Sequence, residues 1–563
     1  KWKDCKQNKN RWCGEINGNG GKREKNDWFD KESAEATEKK NIAYKDMINK
    51  PTRSTVEKYK DLRRKEKAIH KKKKKAHYEA MLQEIQEQNC GNNPRKFYHC
   101  VNNMRKGYTP KIVTYRKANG ELTADRTEAL GRWKEYFKDL LDGTEEDTSN
   151  MEILDTAVQI SEEELPTIEE VDMAIDKLKN NKAPGTDDIK AELIKIPKIT
   201  LLNQLHGIIC NIWRTEQMPK EWEEGLICPI HKKGDPLTCS NYRGITLLNI
   251  GYKIFSNIVY MRLLPYAERI IGNYQCGFRE GKSTSDQIHS LRQILQKTRE
   301  YKIDTYHLFI DYKSAYDSIN REKLFDAMDE FGIPKKLVAL TRGTLTNVRC
   351  RVKLQGDLSE SFYTQKGLRQ GDALACLLFN LALEKVIRDS GIERRGTIFH
   401  KSIQILGYAD DLDIVGRSER SIRDAFTSLD TEAQQMGLKI NESKTKYMEV
   451  TRKPSKIEFF EIAGYKFKKV TEFKYLGSLV TSDNNMSTEI HHRLLTANRC
   501  YYGLQKQLRS HHISLNTKKK LYKTLIRPVL LYGSETWAVG NTDRSRLDVF
   551  ERKVLRTIYG PVN

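Results

Sequence analysis

Residues 403–415 read Ile-Gln-Ile-Leu-Gly-Tyr-Ala-Asp-Asp-Leu-Asp-Ile-Val, two runs of β-forming residues that meet at a pair of acids. This pattern predicts a β-hairpin whose turn carries Asp410 and Asp411. Because acids are common turn formers, the tetrapeptide Tyr-Ala-Asp-Asp is weak evidence of function by itself. Two adjacent carboxylates repel each other, however, so the turn would be stabilised by a cation.

A second apolar run also ends in an acid. Residues 306–310, Tyr-His-Leu-Phe-Ile, predict a strand that ends at Asp311. If this strand lies beside the hairpin, three carboxylates share one sheet edge and offer oxygen ligands to Mg²⁺. Two such ions, with Mn²⁺ as an alternative, could activate an attacking hydroxyl and stabilise a leaving pyrophosphate. We therefore predict a phosphoryl-transfer site formed by Asp311, Asp410 and Asp411.

The overall charge of the chain points to a polyanionic partner. The 563 residues include 99 Lys and Arg against 76 Asp and Glu, which gives a net charge of +23. Such a field attracts nucleic acid. A membrane partner is not expected, since mean hydropathy is −0.70 and no apolar stretch reaches about 18 residues. Eleven cysteines form no C-x-x-C pair, so we expect reduced thiols in an intracellular protein, in the nucleus or cytoplasm, that is not secreted.

Three motifs follow one another in the order known from one polymerase family. They are residues 309–318 (Phe-Ile-Asp-Tyr-Lys-Ser-Ala-Tyr-Asp-Ser), 367–372 (Gly-Leu-Arg-Gln-Gly-Asp) and 408–411 (Tyr-Ala-Asp-Asp). In order and wording they resemble the reverse transcriptases of non-LTR (LINE-type) retrotransposons, and most closely the RTE group of animal elements. Further segments agree with that family: 182–187, 241–248, 275–279, 441–445, 475–477 and 525–533. The resemblance extends from about residue 120 to the end of the chain.

The resemblance implies an α+β right-hand polymerase with helical fingers, a palm of antiparallel strands with packed helices, and a helical thumb. The expected segments are a flexible lead-in (1–50), a basic helical N-terminal extension (51–119), a fingers-side helical region (120–210), the reverse transcriptase domain with fingers and palm (211–482), and a basic helical thumb (483–563). From the residues themselves, a capping box at Ser54–Glu57 predicts a helix to about Gln88, and the stretch up to about residue 300 predicts helices and short loops.

The family's site roles map onto individual residues. Asp311, Asp410 and Asp411 would bind two metal ions, with help from the Tyr312 carbonyl, and Tyr316 would exclude a ribose 2′-hydroxyl. Residues that would hold the nucleotide or support the templating pair are Lys233, Arg243, Gln370 and Gly371. Lys444 would protonate the leaving pyrophosphate. The expected partners are an RNA template, a DNA primer or target DNA, and deoxynucleoside triphosphates.

Two departures from the family pattern stand out. Ala375-Cys376 replaces the usual Ser-Pro, and Asp188 replaces a usual Gly. We also expect the chain to be a fragment, because it starts at Lys1 without Met and carries no endonuclease, which the family usually has upstream as a nicking partner. The alternatives are a related RNA-dependent RNA polymerase or maturase, and a decayed or domesticated protein that only binds nucleic acid.

Overall fold

The computed structural model describes residues 28–91, 94–106, 114–142, 164–196, 198–392, 398 and 403–560. Its contacts divide the chain into two compact units. The larger unit comprises 112–489 and 533–538, and the smaller unit comprises 1–111, 490–532 and 539–563. Segments from the N-terminal and the C-terminal part of the chain therefore contribute to the smaller unit, whereas the boundaries of the five expected segments remain predictions. Within the described residues, no helix has the length and apolar character needed to cross a bilayer.

The helices among the described residues, in chain order, are α1 (Lys31–Asn49), α2 (Arg53–Cys90), α3 (Pro94–Lys106), α4 (Arg126–Leu141), α5 (Ile168–Lys177), α6 (Ala191–Lys195), α7 (Lys198–Thr215), α8 (Lys220–Glu223), α9 (Ile250–Ile270), α10 (Thr284–Glu300), α11 (Ala315–Ser318), α12 (Arg321–Glu330), α13 (Lys335–Leu345), α14 (Leu374–Asp389), α15 (Glu419–Gln435), α16 (Met486–Arg509), α17 (Leu515–Leu521), α18 (Arg527–Leu531) and α19 (Asn541–Tyr559). A π-helical turn, Tyr522–Ile526, joins α17 to α18.

The strands in the same part of the chain are β1 (Glu224–His231), β2 (Tyr242–Leu247), β3 (Thr305–Ile310), β4 (Arg349–Leu354), β5 (Asp357–Leu358), β6 (Phe362–Tyr363), β7 (Ile403–Tyr408), β8 (Asp411–Gly416), β9 (Lys446–Val450), β10 (Phe459–Ile462), β11 (Tyr465–Lys469), β12 (Glu472–Tyr475) and β13 (Ser478–Thr481). Helices and antiparallel strands thus occur together, which confirms the expected α+β class.

The smaller unit corrects the expectation of a flexible lead-in over residues 1–50. Residues 1–27 lie outside the described residues, but Lys31–Asn49 form helix α1. Asp30 caps it by accepting a hydrogen bond from Ser33 N, and the Lys40 ammonium pairs with the Glu66 carboxylate of α2 at 2.8 Å. The polar composition concealed this helix because packing against α2 and charge pairing, more than a broad apolar stripe, stabilise it.

Helix α2 is present as expected, but its cap differs from the prediction. Thr52 and Thr55 form the capping box, each side chain bonding to the other residue's backbone N–H, so the Ser54–Glu57 box is wrong. At the other end of α2, Asn89 Nδ2 donates to Thr517 Oγ1 of α17 at 2.9 Å. This bond joins elements that are 428 residues apart in sequence.

The larger unit is built on a six-stranded sheet, here called the palm sheet, with the order β10-β11-β9-β3-β8-β7. All neighbouring pairs are antiparallel except β11 and β9. Leu308 and Ile310 of β3 face a core shared with α14 and α15, while Phe309 faces a second core with α10 and the β12–β13 hairpin. Both faces of the palm sheet are therefore covered.

A second sheet corrects the expectation of helices and loops alone before residue 300. Its order is β2-β1-β4-β5, with β6 paired to β4. Strand β1 contains Pro229, which suggested a loop because proline cannot donate to a sheet ladder. In the structure β4 pairs only with Glu224–Ile227, so Pro229 lies beyond that pairing and is matched on one side only, by Gly244 of β2.

Candidate active site

The three predicted carboxylates meet at one end of the palm sheet. Strands β7 and β8 form the expected hairpin, in which Tyr408 pairs with Asp411 across the turn. Strand β3 lies beside β8 with Ile310 opposite Leu412, so Asp311 follows directly at the same end. The local alternation of β-forming residues sets this register, because a slip of one residue would turn Leu308 and Ile310 away from their core.

The raised pKa values of the carboxylates in the turn indicate that their negative charge is not fully neutralised. Burial, together with repulsion from Asp410 and Asp311, raises the pKa of Asp411 to about 6. Burial and the neighbouring Asp311 also raise the pKa of Asp410. Among the residues with described positions, no group of three or more His, Cys, Asp or Glu side chains is already arranged to hold a metal ion. The donor chemistry nevertheless fits a hard divalent cation, since oxygen ligands that repel one another are what such an ion neutralises.

Residues 441–445 hold Asp311 in place. The Asn441 amide and the Lys444 ammonium both donate to Asp311 Oδ2, at 3.0 and 2.8 Å. The backbone of Asp311 is held as well, because its N–H donates to Thr445 Oγ1 and its carbonyl accepts from Asn441 N. Lys444 was expected near the site, whereas the sequence reasoning missed the roles of Asn441 and Thr445, although both lie in a segment that matched the family.

A cavity of 1090 Å³ is lined by Asp311 and Asp410 together with several cations. Lys233 and Arg243, both predicted, line it from β1–β2, together with Lys232, which was not predicted. Burial and the nearby Arg243 and Lys444 cations lower the pKa of Lys232, whose charge also interacts with Asp311 and Asp410. An anion in this cavity would be attracted by the same cations.

Tyr316 lines the cavity on the side of α14. Its ring stacks on Phe379 with centroids 4.6 Å apart, and its hydroxyl lies beside the Cys376 thiol. Burial raises the pKa of Tyr316, so the phenol stays neutral at physiological pH. Tyr312 is buried beneath the acids, and its backbone pairs with Ile440. Cys376, which departs from the family pattern, thus contacts Tyr316, the residue expected to exclude a ribose 2′-hydroxyl.

The loop with Gln370 and Gly371 is fixed from two sides. The Gln370 side-chain amide donates to Asp317 Oδ1 at 2.8 Å, and the Gln370 carbonyl accepts from Thr246 N of β2. Gly371 has φ +117°, and a Cβ there would approach Thr246 O to 2.8 Å. Burial raises the pKa of Asp317 to about 7. Asp317 therefore holds Gln370, the residue predicted to support the templating pair.

The second departure from the family has a backbone explanation. Asp188 has φ +53°, in the left-handed region where the family places Gly. Among residues with a Cβ, Asp and Asn adopt that region most readily, so the substitution keeps the turn.

Comparisons with known proteins show which sequences this chain resembles. Residues 230–480 match the family described as reverse transcriptase (RNA-dependent DNA polymerase). The probable RNA-directed DNA polymerase from transposon BS of Drosophila melanogaster is 25% identical over 74% of this chain and 47% of its own length. The probable RNA-directed DNA polymerase from transposon X-element of the same fly is 27% identical over 69% of this chain and 44% of its own length.

A third relative is the RNA-directed DNA polymerase from mobile element jockey of D. melanogaster, 24% identical over 70% of this chain and 44% of its own length. The chain thus spans about half the length of the curated relatives it matches. Among solved structures, apo telomerase from Candida tropicalis aligns over 64% of this chain and 67% of its own, with 13% identity and a TM-score of 0.37. The fold assignment therefore depends on the strand order and the family match. The resemblance to non-LTR retrotransposon reverse transcriptases is confirmed, while the RTE group stays a prediction.

Proposed function

We propose that this chain, whose residues 230–480 match the reverse transcriptase family, is an RNA-directed DNA polymerase of the non-LTR retrotransposon type. The observation that carries the proposal is the meeting of Asp311, Asp410 and Asp411 at one sheet edge, where Asp311 and Asp410 line a cavity together with several cations. Its substrates would be deoxynucleoside triphosphates, an RNA template and a DNA primer.

In this proposal Asp311, Asp410 and Asp411 would hold the divalent cations, with Mg²⁺ as the expected ion. When bound, the ions would supply activation of the primer 3′-hydroxyl and charge stabilisation of the pyrophosphate. Lys232, Lys233 and Arg243 would bind the triphosphate, for which the planar fork of Arg is well suited. The cations of the cavity wall would also neutralise the substrate's charge before the acids are reached.

The remaining residues would orient the substrate. Tyr316 would lie against the sugar of the incoming nucleotide, and Gln370–Gly371 would support the templating pair. Lys444 would donate a proton to the leaving pyrophosphate, after giving up its contact with Asp311 Oδ2. All four residues line the cavity, and each lies in or near a segment that resembles the family.

The test is extension of a DNA primer on an RNA template with Mg²⁺ and deoxynucleotides. Asp410→Ala and Asp311→Ala are each expected to abolish extension, because either change removes a carboxylate that holds the ions. Asp424→Ala is the matched control, since Asp424 is an exposed acid in a surface ion pair with Arg420. Extension by the Asp410→Ala and Asp311→Ala variants at the wild-type rate would overturn the proposal.

The same variants separate polymerisation from binding alone. A protein that only binds nucleic acid would retain its function in Asp410→Ala, because the acids do not contribute positive charge to binding. Loss of extension with retained binding supports the polymerase, and absence of extension in the wild-type protein under all metal conditions supports the decayed alternative.

A further inference from the structure

Residues 274–277 lie alongside the edge of β7 that faces away from β8, next to the turn that carries the acids. Cys276 N donates to Gly407 O at 2.9 Å, and Gly407 N donates to Tyr274 O at 2.9 Å. Gly277 comes so close that a Cβ there would meet Ala409 N at 2.2 Å. The sequence motif 275–279 matched the family but received no role from the function proposed above.

Within this segment the side chain of Gln275 bonds to the backbone of the turn. Gln275 is 1% exposed. Its Oε1 accepts from Ala409 N at 2.7 Å and from Gly277 N at 2.8 Å, while its Nε2 donates to Ala409 O at 3.2 Å. One amide therefore satisfies both backbone groups of Ala409, as a neighbouring strand would.

Ala409 needs such support because of its conformation. It is the first residue of a two-residue hairpin loop and has φ +54°. Loops of this kind usually carry Gly or Asn at that place, since a Cβ disfavours the left-handed region. Ala409 is also the residue immediately before Asp410, so a change in its backbone angles would redirect both carboxylates of the turn.

We propose that Gln275 is a positioning residue for catalysis: its side-chain amide holds Ala409 in the left-handed conformation and thereby fixes the direction of Asp410 and Asp411. The proposal rests on the proposed polymerase function, because the acids matter only if they are catalytic. Gln275 acts through the backbone of the turn and does not contact the substrate. Active sites depend on this kind of support, since small displacements of reacting groups lower rates strongly.

The experiment compares two isosteric changes at buried glutamines. Gln275→Met removes all three hydrogen bonds, and Gln287→Met is the matched control, since Gln287 is equally buried and donates to Tyr274 O but not to the turn. We expect Gln275→Met to lower kcat by about a hundredfold while KM for the deoxynucleotide stays at the wild-type value. Gln287→Met should keep the wild-type kcat even if its melting temperature falls as far as that of Gln275→Met.

Two further variants keep the test informative if Gln275→Met folds poorly. Gln275→Leu also removes all three hydrogen bonds without burying a charge, and its kcat should fall as far as that of Gln275→Met. In an Ala409→Gly background, the same Gln275→Met change should cost less, because glycine reaches the left-handed region without strain.

The outcomes distinguish this inference from the proposed function. If Asp410→Ala extends primers, the proposed function fails. If Asp410→Ala is inactive while Gln275→Met keeps the wild-type kcat, only the positioning role fails. Two other results would overturn the positioning role. One is that Gln275→Met lowers kcat by the same factor whether residue 409 is Ala or Gly. The other is that Gln287→Met lowers both kcat and the melting temperature as much as Gln275→Met does.

Discussion

At the scale of single residues, Tyr316 is the side chain that the proposed function assigns to selection of the nucleotide sugar. Its ring stacks on Phe379, and the residue lines the cavity. The usual Ser-Pro of the family is Ala375-Cys376 here, and the Cys376 thiol lies beside the Tyr316 hydroxyl. The Tyr316 hydroxyl thus lies beside a residue that departs from the family pattern, and sugar selection is the property expected to respond to that departure.

Tyr316→Ala is expected to admit ribonucleotides, because the space next to a ribose 2′-hydroxyl would open. The preference for deoxynucleotides should fall by about ten- to a hundredfold, the range available from steric contacts in a pocket. The measurement is the ratio of kcat/KM for dNTP and rNTP incorporation. Tyr301→Ala, at an exposed tyrosine, is the control, and an unchanged ratio in Tyr316→Ala would contradict the role.

Asp317 should make stability depend on pH. Burial raises its pKa in the folded protein to about 7 from an ordinary value of 3.8, so between these values the folded state binds more protons than the unfolded state. The stabilisation of the protonated form is complete below about pH 4 and is lost as pH rises through 7. Asp317→Asn should therefore lose less stability than wild type between pH 5 and 8, roughly, in thermal unfolding. Parallel pH profiles would rule this out.

At the scale of elements, the acid-bearing hairpin and β3 were predictable because their signals are local. Each run alternates β-forming residues over a few positions and ends in acids, so register and turn follow from adjacent residues. Helix α1 and strands β1–β2 were missed for the opposite reason. Their stabilising partners, Glu66 for α1 and β4 for β1, lie 26 or more residues away in sequence and leave no local pattern.

The candidate site shows the same division. The three acids, Lys444 and Arg243 could be located from motifs, whereas Asn441, Lys232 and Gln275 act through contacts between segments that are distant in the chain. Gln275 contacts a residue 134 positions away, so only the folded structure could assign it.

The contact between the Gln370–Gly371 loop and β2 provides a test at this scale. Gly371→Ala would place a Cβ 2.8 Å from Thr246 O, whereas Gly356→Ala, also at a positive φ, would meet open space. Both variants bear the backbone strain, but only Gly371→Ala forces the loop away from β2. We expect it to lose an additional 1 to 3 kcal/mol of stability, roughly, and most primer extension. Equal unfolding midpoints for the two variants would show that the close approach does not matter.

At the scale of the whole molecule, the net charge of +23 predicts how template binding responds to salt. Neutralising roughly six phosphates should make affinity for an RNA–DNA hybrid fall by on the order of a thousandfold between about 50 and 200 mM salt. Because counterion release depends on the basic side chains, Asp410→Ala should show the same slope. The measurement is a fluorescence titration at several salt concentrations, and a flat response would exclude electrostatic binding.

The bond between Asn89 and Thr517 has a consequence for biosynthesis. A ribosome that adds about 5 to 20 residues per second needs roughly 20 to 90 s to reach the second residue after making the first. During that interval α2 and α3 lack their contacts with α17, which include the Asn89–Thr517 bond and the Lys520 ammonium over the buried Phe97 ring. The faces of α2 and α3 that pack on α17 are therefore exposed to solvent or to chaperones until α17 has been translated.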